Sequence, residues 1–255
     1  MQHCKVTSIF TDSEYRTVGD VTDFKVYTNN SGVQDVRYYA IQSVTVPFSW
    51  NTIRTGRNTI QWTASVDGVL SVTINDGNYT ATELATELAA EMNSVATAGA
   101  YTVTYDNITQ GFTITVAGDT IRILQTDLDA SDLWDELGFT EVYALASNTR
   151  ISVSAINITG DNRLYVASNK LSNVDSYQMT TDQLQKSKRI SSLLVTTNPG
   201  GVIQDEKNFL LWKEWPDTKI TNFDLSLEHE NGDLVDLRGR QWQMTILLSS
   251  DLPGM

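Results

Sequence analysis

Cysteine and histidine are almost missing from this chain of 255 residues, which contains one cysteine, Cys4, and two histidines, His3 and His229. A single thiol excludes an internal disulfide and a zinc site built from cysteines. Histidine-based catalysis needs a nucleophile beside an oriented base, and the adjacent pair His3 and Cys4 does not provide one. We expect His229 to be partly exposed at a strand end, and we expect no enzyme activity, no metal site and no cofactor.

Proline, long apolar runs and basic residues are also scarce. Four prolines and fifteen glycines are too few for a collagen-like or linker-like tract. No apolar run approaches the roughly 20 residues that cross a bilayer, and no signal-peptide pattern is visible. The 18 basic and 31 acidic residues give a formal net charge of −13, which repels nucleic-acid phosphates. We therefore expect a soluble product of a reducing compartment, without a nucleic-acid groove.

Alternation of apolar and polar side chains runs through most of the chain and predicts a mainly β protein. The segments rich in β-branched and aromatic residues predict short strands. These segments are 24–27, 38–48, 151–157, 163–167 and 191–197.

The C-terminal segment 222–248 (NFDLSLEHENGDLVDLRGRQWQMTILL) has the strongest local pattern. Two alternating stretches flank Asn231-Gly232, a dipeptide that readily adopts the positive φ angles of a tight turn. The pattern predicts a hairpin of two paired strands. Their inward-facing residues are Phe223, Leu225 and Leu227 on the first strand, and Trp242, Met244, Ile246 and Leu248 on the second.

The segment 63–142 has a different pattern, of strand, helix, hairpin, strand and helix. Thr80 and Glu83 have the spacing of a capping box, which satisfies the first free amides of a helix. Leu84, Leu88 and Met92 then form one apolar stripe. A second helix is predicted at 131–137. We interpret this segment as a small α+β domain inserted into a discontinuous β-domain made of 1–62 and 143–255, because neither flank has enough strands to close a sheet alone.

An acidic cluster lies just before and within the predicted second helix. Its members are Asp127, Asp129, Asp132, Asp135 and Glu136. The first positions resemble a calcium loop, but the sixth position lacks the required glycine and the twelfth lacks the bidentate glutamate. We interpret these acids as residues that favour a helix N-terminus.

The tryptophans Trp212 and Trp215, in the segment FLLWKEWP, are the best candidates for ligand contact. Two neighbouring indoles can stack on a sugar. Tryptophans of a β-sandwich also fill cores and interfaces, and the sequence leaves both interpretations open.

Three segments resemble a viral family. YYAIQSVTVPFSWNTI resembles a strand that ends in a P-x-x-W/Y-N-I turn. VTINDGNYTATELATELAAEMN, followed by YTVTYDNITQGFTIT, resembles the family's inserted element. The third is SSLLVTTNPGGVI with the C-terminal G-x-x-V/L-D-L-x-x-x-x-W pattern. They resemble the minor capsid, or penton, proteins of double-jelly-roll-lineage double-stranded DNA viruses, namely virophages, polinton-like viruses and adintoviruses.

This resemblance implies a single jelly-roll β-sandwich with a small α+β insertion domain. It also implies five copies around each vertex of an icosahedral virion, in contact with the major capsid protein. The insertion domain would project outwards, where it would be accessible as the contact for a host receptor. The alternative that we carry forward is a carbohydrate- or receptor-binding β-sandwich of a viral spike or tail.

Overall fold

The computed structural model describes residues 6–16, 18–28, 32–172, 177–180, 183–215 and 219–252, with only the backbone described in 177–180 and 183–186. The chain divides into two compact units. One combines the chain up to Trp50 with the chain from Asp161, and the other is Asn51–Gly160. The predicted insertion, 63–142, lies inside the second unit. No helix in the described parts of the chain has the length and hydropathy of a membrane span.

The elements before the inserted unit are five strands and a 3₁₀ turn, Ser13–Tyr15. The strands are β1 (Val6–Asp12), β2 (Val18–Asp20), β3 (Asp23–Tyr27), β4 (Val33–Gln34) and β5 (Tyr38–Pro47). The strands of the inserted unit are β6 (Thr59–Ala64), β7 (Gly68–Thr73), β8 (Ala100–Asp106), β9 (Gly111–Ala117), β10 (Ile121–Ile123), β11 (Tyr143–Ser147) and β12 (Thr149–Ile151). Its helices are α1 (Ala81–Val95) and α2 (Gln125–Asp129).

The strands after the inserted unit complete the first unit. They are β13 (Arg163–Ala167), β14 (Tyr177–Thr180), β15 (Gln183–Lys186), β16 (Arg189–Leu194), β17 (Val202–Glu206), β18 (Lys213–Glu214), β19 (Lys219–Ile220), β20 (Asn222–Glu228) and β21 (Gln243–Ser249).

Two antiparallel sheets form the sandwich of the first unit. The β5 sheet has the order β1-β21-β5-β17, with β18 also paired to β5. The β20 sheet has the order β16-β13-β20-β3-β2. The chain passes repeatedly from one sheet to the other, and the inner faces of both sheets contribute to one buried apolar cluster. The fold is therefore a jelly-roll β-sandwich that carries an α+β unit.

The predicted C-terminal hairpin is wrong in its pairing. Strand β20 pairs with β3 and β13, whereas β21 pairs with β1 and β5 in the other sheet. The turn itself forms: Gly232 has φ +95°, and its N–H donates to the carbonyl of His229 over 3.1 Å. After this turn the chain crosses the sandwich, because two strands that each carry one apolar face bury both faces when they oppose each other.

Trp242 is a core residue, as predicted. Its side chain is 1% exposed, and its Nε1–H donates to the carbonyl of Val21 over 2.8 Å. The indole edge meets the ring of Phe24 with 5.7 Å between the centroids. Trp242, which directly precedes β21 in one sheet, therefore contacts Val21 just before β3 and Phe24 at the start of β3 in the other sheet.

The inserted unit has two small sheets, β11-β10-β6-β7 and β12-β9-β8, and helix α1 packs on β7 and β8. The capping box is confirmed, since Thr80 Oγ1 accepts from the N–H of Glu83 and the Thr80 N–H donates to the Glu83 carboxylate. The apolar stripe is confirmed as well. Leu84, Leu88 and Met92 are buried in a second cluster that belongs to this unit.

The second predicted helix, 131–137, is wrong. The helix in this region is α2, at Gln125–Asp129, and residues 131–137 form turns. Two side chains of the turn segment are hydrogen-bonded to the backbone of β6. Asp132 Oδ1 accepts from the Thr59 N–H over 2.6 Å, and Ser131 Oγ accepts from the Gln61 N–H over 2.8 Å. These polar contacts hold the segment against a strand, and only the Leu137 N–H, which donates to the carbonyl of Leu133 over 3.1 Å, makes a helical bond among the backbone bonds described there.

The predicted strand at 151–157 is also mostly wrong, because β12 ends at Ile151. The residues that follow bond to separate partners. The Ser152 N–H donates to the carbonyl of Phe112, the Val153 N–H to Gly138 and the Ile156 N–H to Gln110. No single neighbouring strand receives these bonds, so the segment stays irregular.

Candidate interaction surface

One edge of the jelly-roll sandwich contains a groove of about 240 Å³. We name it the Lys213 groove. It lies between the edge strands β16 and β17–β18, where the two sheets leave a gap. Its lining residues are Tyr39, Ile41, Ile190, Ser191, Ser192, Lys207, Phe209, Leu211 and Lys213. The groove thus combines apolar walls, two serine hydroxyls, one tyrosine and two cations.

The two cations of the groove differ in their surroundings. Lys207 forms an ion pair with Asp205. Lys213 Nζ lies 3.4 Å from the carbonyl of Ile190, and no carboxylate of the described residues lies within ion-pair distance of it. Burial lowers the pKa of Lys213, because its half-buried ammonium has lost hydration. The Lys213 ammonium therefore lies half-buried in the groove with no carboxylate of the described residues to balance its charge.

Tyr39 forms the floor of the same groove. Its hydroxyl donates to the carbonyl of Leu171, and burial raises the pKa of the phenol well above its ordinary value. The phenol consequently stays protonated and is committed to this internal bond, so it contributes apolar surface to the groove.

Two large apolar side chains protrude beside the groove, from the segment between β17 and β18. Phe209 is 88% exposed and Leu211 is 80% exposed. Leu194 and Val202, on the neighbouring edge strands, are also more than half exposed. Exposed apolar residues beside a groove are typical of a surface that another protein covers.

The opposite edge of the sandwich carries a second exposed apolar set. Tyr15, in the 3₁₀ turn Ser13–Tyr15, is 79% exposed, and Phe10 on β1 is also largely exposed. We name this turn the Tyr15 corner. Ser13 anchors it: the Ser13 N–H donates to the carbonyl of Trp242, and Ser13 Oγ accepts from the Trp242 N–H. The corner is therefore held in one conformation while Tyr15 points to solvent.

Trp212 and Trp215, the sugar-stacking candidates, are placed differently. Trp215 is buried, and its ring meets Tyr39 edge-on with 6.1 Å between the centroids. Trp212 is half-buried. Because Trp215 packs into the jelly-roll core, the pair does not present two open indole faces. Trp212 remains the candidate of the pair for ligand contact.

The acidic cluster at 127–136 binds protein groups. Asp127 is fully buried and accepts from the Leu124 N–H over 2.9 Å and from Thr63 Oγ1 over 3.0 Å. Glu136 forms an ion pair of 2.6 Å with Arg57. Within the described residues, no group of three or more potential ligands is arranged to hold a metal ion.

His229 is fully buried, so the expectation of a partly exposed residue is wrong. Its Nδ1 lies 2.8 Å from Oδ2 of Asp161, and its ring meets Trp50 edge-on. Nδ1 has no hydrogen-bond partner of acceptable geometry among the described residues. Trp50 and Asp161 are the residues at which the chain leaves and re-enters the jelly roll. The other sequence candidates, His3 and Cys4, lie outside the described residues.

Sequence reasoning missed Lys213, Phe209, Leu211 and Tyr15. A signal was present in KNFLLWK, because an unalternating apolar run flanked by lysines fits neither a buried strand nor a polar loop. The tryptophans of that segment were its conspicuous residues, but its exposed apolar residues are Phe209 and Leu211.

No family model matches the sequence, and no curated protein matches it. Among solved structures, the chain is similar to the selenomethionine-labelled penton protein of mavirus. The TM-score is 0.52 at 12% sequence identity, and the match covers 96% of this chain and 100% of that one. The two chains share a fold.

Proposed function

We propose that this chain is a structural capsid protein that occupies the five-fold vertices of an icosahedral virion as a homopentamer. The observation that carries the proposal is the fold match to a penton protein over nearly the full length of both chains. The match thus extends beyond the sandwich, which many unrelated proteins share, to most of the inserted unit.

The exposed apolar residues at both edges of the sandwich support side-by-side assembly. A closed ring is built from heterologous contacts, in which one patch of each subunit meets a different patch of its neighbour. The Lys213 groove with Phe209 and Leu211 lies at one edge, and the Tyr15 corner lies at the other. A sandwich with two such edges has the surfaces that a ring requires.

The same proposal includes the major capsid protein as the partner around the vertex.

The net charge of −13 would keep free subunits apart until specific contacts outweigh their repulsion. We accordingly expect assembly to become more favourable as salt screens that repulsion.

Native mass spectrometry of the purified chain tests the proposal, with a salt series as its second axis. We expect a pentamer whose population rises with salt. Labelling of virions with an antibody against the chain should mark the vertices in electron micrographs. A trimer would indicate a spike or another shell position, and a monomer that does not label vertices would refute the proposal.

A further inference from the structure

We propose that the Lys213 groove of one copy binds the Tyr15 corner of a second copy, with the ring of Tyr15 in the groove and the carboxylate of Glu14 on Lys213. This inference rests on the proposed function, because it names the contact by which neighbouring copies would meet. It goes further by assigning the two patches and the pair of charges that joins them.

The groove is suited to a carboxylate beside an apolar group. Its walls include Ile41, Ile190 and Tyr39, and Lys213 supplies a half-buried ammonium without a counter-ion among the described residues. An incoming carboxylate would offset part of the hydration that this ammonium lost on burial, and salt would screen such a partly buried pair much less than it screens the repulsion between exposed charges. Lys207 already has Asp205 as its partner and is not the cation available for this contact.

The volume of the groove favours a side chain of another protein over a free small molecule as its occupant. Small-molecule sites typically enclose roughly 300–1,000 Å³, and the Lys213 groove measures about 240 Å³. It has room for one or two side chains. A protruding side chain of another protein therefore fits it better than a free metabolite does.

The Tyr15 corner presents a carboxylate beside an aromatic ring, which is the combination that the groove would bind. Tyr15 is largely exposed and Glu14 beside it is exposed. The carboxylate of the neighbouring Asp12 already accepts two internal hydrogen bonds, one from the Glu14 N–H over 2.8 Å and one from Gln243 Nε2 over 2.7 Å. The Glu14 carboxylate makes no hydrogen bond or ion pair to the described residues. The corner is also pre-ordered by Ser13, which reduces the entropy lost on binding.

The contact must join different copies. The groove lies at the β17 edge and the corner at the β1 edge of the same sheet, whose order is β1-β21-β5-β17. At about 4.8 Å between neighbouring strands, these edges are roughly 14 Å apart. One subunit therefore presents the corner to one neighbour and the groove to the other, which is the heterologous arrangement that a closed ring requires.

Charge reversal tests the contact. Lys213→Glu and Glu14→Lys each place like charges together, and we expect each to weaken self-association about tenfold or more, measured by analytical ultracentrifugation. The double variant restores an opposite pair in the same chain and should recover most of the association. The matched control is Lys188→Glu with Glu141→Lys, which has the same net charge and uses exposed residues outside the groove and the corner.

A second pair of variants tests the apolar part of the contact. Tyr15→Ala should weaken association, whereas Tyr27→Ala, which removes another exposed tyrosine, should not. Circular dichroism checks that each variant is folded. A wild-type oligomer that is indifferent to the charge reversals and to Tyr15→Ala overturns this contact and leaves the proposed function standing. A wild-type chain that stays monomeric overturns this contact, and it overturns the proposed function as well if an antibody against the chain does not label the vertices.

Discussion

Trp242 provides a quantitative test of the jelly-roll core. Its side chain is fully buried, meets Phe24 edge-on and donates one hydrogen bond to Val21. Truncation of such a residue to alanine costs about 3–5 kcal/mol of the free energy of unfolding. Trp242→Phe keeps an aromatic ring but loses the N–H donor and leaves the Val21 carbonyl without that bond. We expect it to cost about 1–3 kcal/mol.

Urea denaturation followed by circular dichroism measures these changes, and Trp62→Phe provides the matched control. Trp62 is equally buried but lies in the inserted unit, where its Nε1–H donates to the Tyr101 hydroxyl over 3.0 Å. Because the two units have separate cores, we expect each variant to lower the midpoint of a different transition. If Trp242→Phe changes the free energy of unfolding by less than about 0.5 kcal/mol, the packing argument is refuted. One shared transition would refute the independence of the cores.

Two further substitutions probe single polar groups. Thr80→Ala removes the side-chain cap of α1 and should lower the free energy of unfolding of the inserted unit by about 1 kcal/mol. Thr82→Ala, at an exposed position of the same helix, is the control. An unchanged free energy of unfolding in Thr80→Ala would contradict the capping role. Burial disfavours ionisation of Asp224, but hydrogen bonds donated by Asn169 and Lys170 outweigh it and lower the pKa of the carboxyl. The stabilisation by ionised Asp224 is therefore complete above the ordinary aspartate pKa of about 4 and is lost as the pH falls through the lowered value. Asp224→Asn should cost about 1–3 kcal/mol at neutral pH, and its deficit in urea unfolding should shrink in acid; a deficit that is independent of pH would contradict this reasoning.

The strands of the sandwich could be predicted, but their pairing could not. Alternation in 222–248 identifies Leu225 and Trp242 as inward-facing, and both are buried. The same alternation arises whether two strands are neighbours in one sheet or face each other across the core, because both arrangements bury one face of each. The Asn231-Gly232 turn favoured the hairpin interpretation. It closes only a local loop, in which the Val235 N–H donates to the carbonyl of Leu227 before the chain crosses to the other sheet.

Side-chain contacts could be predicted from the sequence where both partners lie within a few residues of each other. Thr80 and Glu83 contact each other across one helical turn, so their spacing alone determines the cap. The segment 131–137 depends on β6, which is about 70 residues earlier in the chain. Its helical periodicity was real, but Asp132 and Ser131 found backbone partners on that strand. A tertiary contact of this kind leaves no periodic signal in the sequence.

The edges of the sandwich explain why the candidate surface was harder to find than the core. Inward-facing positions repeat along each strand, whereas the edges are formed by segments that are distant in sequence: β16 and the stretch between β17 and β18 at one edge, and the turn after β1 at the other. Lys213 is unremarkable in the sequence, and it becomes distinctive only because folding half-buries it beside Ile190, with no carboxylate of the described residues in reach. Glu14 is equally ordinary until Ser13 fixes the corner that presents it. The fold of this chain is therefore visible in its periodicity, whereas the residues of the candidate surface come together only when the sheets have been paired.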